Sequence, residues 1–390
     1  MPSMLLLLDV DSVLIAPRGY RVALRATIDH FALAMGQPPF ALTEEENVDF
    51  EALGIGCEWD SAPMCVGAML TEALTRRPDL ARPTVAATLD AIRGAGLSLP
   101  RPDPVELARA VSHAVPDGAQ PTETICTVLK KRTPEVAHHL LDELLNDNFT
   151  IKSPTTYVFQ HFVLGSQRFA DLYAQPAGFE TESALITHDR PLLAPAVRDQ
   201  LLARAEAGDI GAAIFTARPS LPPTDLLDGA CDFPGCSPDA DLAAEMLGLD
   251  GRLPLIAIGR LAWAAEQHGR DVAEYIKPSP VQALAAIGAA FAGQETAAVQ
   301  AAATLHETGR LSGSLAAMAN QPVRVAVFED TASGIRAVQT AVELLRRTGL
   351  AVTLEANGIA PEAAKREQLA RVADRVFDDI NQALEPYLAA

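Results

Sequence analysis

The apolar run that opens the chain, Met4 to Val10, admits only one polar residue, Asp9, and ends in a second acid, Asp11. A short run this apolar describes a strand covered on both faces, as the strands of a parallel sheet are. Two more such runs lie far downstream, GAAIF at 211–215 and VRVAVF at 323–328, the second again ending in acid, Glu329 and Asp330. Parallel strands need crossover connections, usually helices. The pattern supplies them at 195–207, 240–248, 260–268, 281–305 and 334–347, with weaker strands at 255–258 and 350–354. A last short strand, Arg375 to Phe377, precedes a final helix. This alternation predicts an α/β fold, a three-layer Rossmann-like core with helices on both faces of a parallel sheet.

The first strand belongs to this sheet but is remote from its partners in sequence. What intervenes is mainly helical: Tyr20, Leu24, Ile28, Phe31 and Met35 recur at helical spacing. Pro and Gly crowd the stretch from Gly94 to Pro121, which reads as a loop or hinge. The expected organisation is a core from residues 1–15 and 190–390 and an inserted helical cap domain from 16–189. The cap should sit above the carboxyl ends of the strands, where such sheets bind ligands.

A net charge of -19 argues against nucleic acid and acidic membranes as partners. The five cysteines are scattered and odd in number, so no disulfide framework is expected and a reducing cytoplasm fits. Cys231 and Cys236, in CDFPGC, read as a turn, because a zinc knuckle needs more thiols or histidines nearby. The first residues lack the basic start and long apolar stretch of a signal peptide. Val281 to Gly293 is too short to span a bilayer.

Four motifs fall at or just beyond predicted strand ends. Asp9 and Asp11 are two residues apart, so an extended chain projects both to one side. Carboxylates so placed repel unless a cation is present or one is protonated. One suits a nucleophile and metal ligand, the other a proton donor and acceptor; the alternative is an acidic strand end without chemistry. Thr216 in IFTARP offers a hydroxyl to a phosphoryl oxygen. Lys277 in YIKPSP offers an ammonium that can neutralise an oxyanion and a nucleophilic carboxylate. Glu329 and Asp330, followed by Thr331 and Gly334, offer the oxygens that Mg²⁺ prefers.

In this order the motifs resemble the haloacid dehalogenase-like hydrolases, in their phosphatase and phosphoglucomutase branch with an alpha-helical cap. The resemblance covers residues 4–15 and roughly 190–390, including the tail ADRVFDDINQAL. It implies that Asp9 attacks phosphorus and that Asp11 protonates the leaving group and then activates water. It implies that Thr216 and Lys277 hold the phosphoryl oxygens. It also implies a Mg²⁺ ligated by Asp9, Asp330 and the backbone carbonyl of Asp11, with Glu329 supporting. The chain departs from the family at Ser12-Val13, where Gly-Thr is usual, so the flap after the first strand is expected to differ. The Ala-rich stretch between Lys277 and Glu329 is longer than usual and is expected to be an insertion.

Within the cap, Arg18 and Arg21 are the substrate-binding candidates, with Tyr20 between them. Trp59-Asp60 and Gly165-Ser166 with Arg168 are weaker ones, since buried aromatics and helical arginines usually serve packing and solvation. The expected activity is Mg²⁺-dependent hydrolysis of a small phosphorylated metabolite in the cytoplasm. The rivals are a phosphomutase using the same residues and a non-catalytic binding or regulatory protein on the same scaffold. Dehalogenation has no need of the proton-shuttling Asp11.

Overall fold

The computed structural model describes every residue except 117, 118, 120, 224–232 and 390. The chain divides into two compact units, Met1–Pro17 with Asp189–Ala390, and Arg18–His188.

In the first unit, the side chains of strand β1 (Met4–Leu8) alternate between two cores. Leu5 and Leu7 enter one, Leu6 and Leu8 the other, and all four are closed to solvent. A strand buried on both faces explains why its sequence shows no polar alternation. The remaining strands are β2 (Ile15–Ala16), β3 (Arg190–Pro191), β4 (Gly211–Phe215), β5 (Leu255–Ile256), β6 (Val323–Glu329), β7 (Val352–Ile359) and β8 (Arg375–Phe377). Six of them form one sheet in the order β5-β4-β1-β6-β7-β8, every pairing parallel. β2 and β3 pair antiparallel and join the two chain segments that flank the helical unit. The fold is thus a parallel α/β core with a helical insert, as the strand pattern predicts.

One layer against the sheet contains the helices Pro280–Ala292 and Ala332–Arg347; the other contains Pro195–Glu206, Asp239–Leu247 and Ile380–Leu388. For its first helix, this corrects the reading of the Ala-rich stretch as an insertion. The helix Pro280–Ala292 is part of the sheet-covering layer and packs directly on β1, β4 and β5. Small residues allow that close approach: a Cβ on Gly211 would lie 2.1 Å from the Ala290 carbonyl oxygen. The stretch is also two helices, because Gly293 takes φ 72° and ends the first.

The second unit is helical from Gly19–Ala34 to Ala184–His188. The stretch read as a loop contains a helix, Pro104–Ser112. Pro104 stands at its first position, and the Asp103 carboxylate accepts the amides of Val105 and Glu106 at 3.0 Å each. Pro and Asp there are start signals, which Pro density alone disguises as a break. The cysteine reading also needs correction. Cys57, Cys65 and Cys126 are free thiols, but Cys236 is disulfide-bonded. An odd count excludes complete pairing, not one bond; Cys231 lies outside the described residues. No helix among the described residues is long and apolar enough to cross a membrane.

Candidate active site

The parallel arrangement brings the carboxyl ends of β4, β1 and β6 side by side, and each carries a polar residue there. Asp9 follows β1, and its amide donates to the Phe328 carbonyl at 3.1 Å, so the ladder to β6 continues through it. Its side chain is buried. Glu329 closes β6 with no solvent exposure, and Asp330 follows, also buried. Among the described residues, Asp9, Glu329 and Asp330 form an acidic group whose candidate ligand oxygens all lie within 4.8 Å of one another.

Lys277 answers two of these acids. Its ammonium donates to Asp9 Oδ1 at 2.8 Å and to Glu329 Oε1 at 2.5 Å, and lies 4.2 Å from the centroid of the Phe215 ring. The loop bearing Lys277 is tied down by Gln282, which is wholly buried. The Gln282 amide donates to the carbonyls of Thr216 at 2.8 Å and Ile256 at 3.3 Å, and its oxygen accepts the Lys277 amide at 3.3 Å. One side chain therefore links the Lys277 loop to the ends of β4 and β5. Gln282 escaped the sequence reading, although a lone amide in the apolar stretch VQALAAIGAAF was its signal.

Glu329 is fixed from the other side by Thr331, whose amide and hydroxyl each donate to Oε2 at 2.8 Å. Thr331 is also the N-cap of the helix Ala332–Arg347 and accepts the Gly334 amide at 3.1 Å. Gly334 is required by contact: a Cβ there would lie 1.8 Å from Glu329 Oε1. Asp330 Oδ2 accepts from the ammonium of Lys365, on the helix Ala363–Leu369. Nothing in AAKREQL separates that lysine from a solvated one.

Burial raises the Asp9 carboxyl well above the usual carboxylate range; Lys277 opposes this, while Glu329, Asp330 and Asp11 add to it. Burial works to lower the Lys277 ammonium, but the charges of Asp9 and Glu329 outweigh it and hold its pKa above the ordinary lysine value. Burial also raises Asp330, against the pull of Lys365. Three buried carboxylates thus face two ammonium groups. The donors are all oxygen, the choice of a small hard cation such as Mg²⁺, and the group could hold one.

Asp11 stands outside that acidic group. The Arg218 guanidinium donates through Nε to both of its carboxylate oxygens, at 3.0 and 3.1 Å, and through Nη2 to Oδ1 at 2.5 Å. The chain reverses tightly here, with the Leu14 and Ile15 amides on the Val10 carbonyl and the Ser12 amide 2.7 Å from the Ile15 carbonyl oxygen. Ser12 takes φ 61°, the left-handed region that favours glycine. Gly is usual in the resembled family at this position, and serine adopts the conformation in its place. Thr216 is buried just past β4, its amide on the Ile256 carbonyl and its hydroxyl oxygen accepting the Arg218 amide at 3.3 Å.

Arg21, Tyr20, Trp59, Asp60 and Ser166 have partners within the helical unit. Arg21 pairs with Glu51 at 2.5 Å and Glu44 at 3.7 Å. Arg18 is exposed at the start of the helix Gly19–Ala34. Tyr20 and Trp59 pack edge-on, their rings 5.4 Å apart. Asp60 accepts from Thr122 at 2.6 Å and Asn148 at 3.0 Å, and Ser166 donates to the Phe179 carbonyl at 2.8 Å.

No family model matches the chain, and no curated protein matches it. Among solved structures it is similar to an X-ray structure from the Northeast Structural Genomics Consortium, with a TM-score of 0.60 and 13% identity over 100% of this chain and 99% of that one. It also aligns with phosphatase Tt82 from Thermococcus thioreducens, with a TM-score of 0.47 and 15% identity over 99% of each chain. At such identity the likeness to the first is one of fold alone.

Proposed function

We propose that this chain is a Mg²⁺-dependent phosphatase of the haloacid dehalogenase-like type, hydrolysing a small phosphate monoester through an aspartyl-phosphate on Asp9. The observation that carries this reading is the Asp9–Lys277 pair. A buried carboxylate stands at the end of a central parallel strand, bonded to an ammonium and beside two further acids. Charge gathered at that depth is costly and is kept where chemistry uses it.

Asp9 attacks the phosphorus of the bound ester. The bond from phosphorus to the leaving oxygen breaks, and Asp11 gives that oxygen its proton. Asp11, now a carboxylate, takes a proton from water as the water attacks the phosphorus. The bond to Asp9 then breaks, freeing inorganic phosphate and restoring both acids. Lys277 and Thr216 face the phosphoryl oxygens and offset charge in the transition state. Asp9 and Asp330 would hold Mg²⁺, with Asp11 through its carbonyl and Glu329 in support. When bound, the ion would supply the positive charge that lets an anionic substrate approach a carboxylate.

The test is a panel of sugar phosphates, nucleotides and phosphoglycolate, offered to purified enzyme with Mg²⁺ and with EDTA. Mass spectrometry of the quenched D11N variant is run in parallel. Metal-dependent phosphate release and a phosphorylated Asp9 are expected. A well-folded protein that releases phosphate from none of the panel would overturn the reading in favour of binding without turnover.

A further inference from the structure

Arg218 follows Thr216 closely, yet its side chain is 1% exposed and reaches no solvent to satisfy its charge. Its guanidinium lies between two acids. Nη2 donates to Asp189 Oδ2 at 2.9 Å, and Nε and Nη2 together grip Asp11 from the other side. The two acids differ in kind. Asp189 is wholly buried and is the first residue of the α/β unit after the helical one. Asp11 is 34% exposed, on the tight turn after β1. A buried acid thus anchors the guanidinium, and the guanidinium holds the outer acid.

A carboxylate on a turn has free torsions and, when partly exposed, several orientations open to it. A planar guanidinium bonded to both of its oxygens removes most of them, because the fork sets direction as well as distance. Lysine, a point charge, would keep the attraction and lose the direction. A proton must be delivered within hydrogen-bond reach and along a set line, and an error of about 1 Å can cost about 100-fold.

We infer that Arg218, anchored by Asp189, is a positioning residue that aims the Asp11 carboxyl at the leaving-group oxygen. The inference rests on the proton-carrying role proposed for Asp11. It makes a distinction that a purely structural ion pair would not. Loss of aim should harm substrates that need a proton on the leaving oxygen and spare those that do not.

The experiment uses the full chain as wild type, R218K and D189N. Each is assayed on p-nitrophenyl phosphate, whose leaving group needs little protonation, and on the best alkyl phosphate from the wild-type panel. Circular dichroism establishes which variants are folded. For R218K, kcat on the alkyl phosphate should fall about 100-fold, with KM little changed, while the burst of p-nitrophenolate falls less than about tenfold. D189N should shift the same ratio in the same direction and less far. Guanidinium ion added to R218A should restore the alkyl reaction preferentially. Equal losses on the two substrates in folded R218K, or no loss on either, would overturn the aiming role and leave the phosphatase reading standing. A wild type that turns over neither substrate removes the phosphatase reading, and this inference falls with it.

Discussion

Lys277 and Asp9 meet at 2.8 Å with each side chain only 8% exposed. Neither charge is stable there alone, since burial works against both. Lys277 is shared with Glu329, so a single ammonium serves two buried acids. Replacing it by methionine keeps the volume and leaves those acids unanswered. Removing one partner of a buried ion pair costs about 3–5 kcal/mol. K277M should therefore lose stability of that order in urea denaturation and lose turnover as well. A variant as stable as wild type would show that the pair carries no such weight.

Asp9→Asn preserves shape and removes the proposed nucleophile. The fold should persist while turnover drops by several orders of magnitude, because an amide cannot form the acyl phosphate. Circular dichroism and steady-state assay on one preparation decide it. Activity above about a tenth of wild type would exclude Asp9 as the nucleophile.

Gly334 offers a steric test of the same cluster. Alanine there would drive its Cβ to 1.8 Å from Glu329 Oε1, the oxygen that holds Lys277. Glu329 must move, so G334A should lose about 1–3 kcal/mol and most of its activity. Gly94, the last residue of the helix Val85–Gly94, has open space around it. G94A should be neutral or slightly stabilising in the same melting experiment. Equal behaviour of the two variants would count against the packing argument.

These residues were unequally legible in the sequence. Asp9, Glu329 and Asp330 stood out because each breaks or ends an apolar run, and a parallel sheet brings such ends together wherever they lie in the chain. Lys277 was visible through Lys-Pro-x-Pro at a helix start. Arg218, Gln282 and Lys365 were not, because nothing in a linear pattern tells a buried arginine or a reaching lysine from a solvated one. Their roles come from the sheet order, which sets Arg218 beside Asp11 although they lie far apart in the chain. The helix Pro104–Ser112 was hidden for a different reason: the prolines that mark a break also mark a helix start.

Lys365 bears on the proposed cation. Its ammonium is bonded to Asp330 Oδ2, on one of the three carboxylates that could hold a cation, and its charge opposes a cation there. Removing the lysine should favour the cation. K365M should bind Mn²⁺ about three- to tenfold more tightly than wild type by isothermal titration calorimetry, as befits a partly exposed ion pair. Wild-type activity should vanish in EDTA and return with Mg²⁺. Full activity after exhaustive chelation would remove the ion from the reaction.

The helical unit carries a buried histidine, His161. His161 has no solvent exposure and its ring stacks on Phe169 with centroids 3.6 Å apart. The Gly178 amide donates to Nε2 at 3.2 Å, so that nitrogen carries no proton, and Nδ1 donates to the Tyr157 carbonyl at 3.0 Å. Both ring nitrogens are thus engaged by the neutral form. Burial lowers the His161 pKa, and it lowers that of neighbouring His30, where charge on His161 would lower it further. For a base held below its unfolded value, the unfolded chain takes the proton first. The stabilisation is therefore complete above the unfolded pKa, about 6.5, and is lost as pH falls below it toward the folded value. Each such histidine can contribute a slope of at most about 1.4 kcal/mol per pH unit. Carboxylates of ordinary pKa titrate mainly below pH 5, so between about pH 7 and 5.5 the histidines are opposed chiefly by buried acids with raised pKa such as Asp9, which act in the opposite direction. Thermal melting of the wild type should show this loss of the histidine contribution as pH falls across that interval, and the protection factor of the Gly178 amide should fall with it. H161F keeps the stack on Phe169 and cannot be protonated, so its melting temperature should vary less with pH over the same range. An unchanged slope in H161F would assign the pH dependence to other groups.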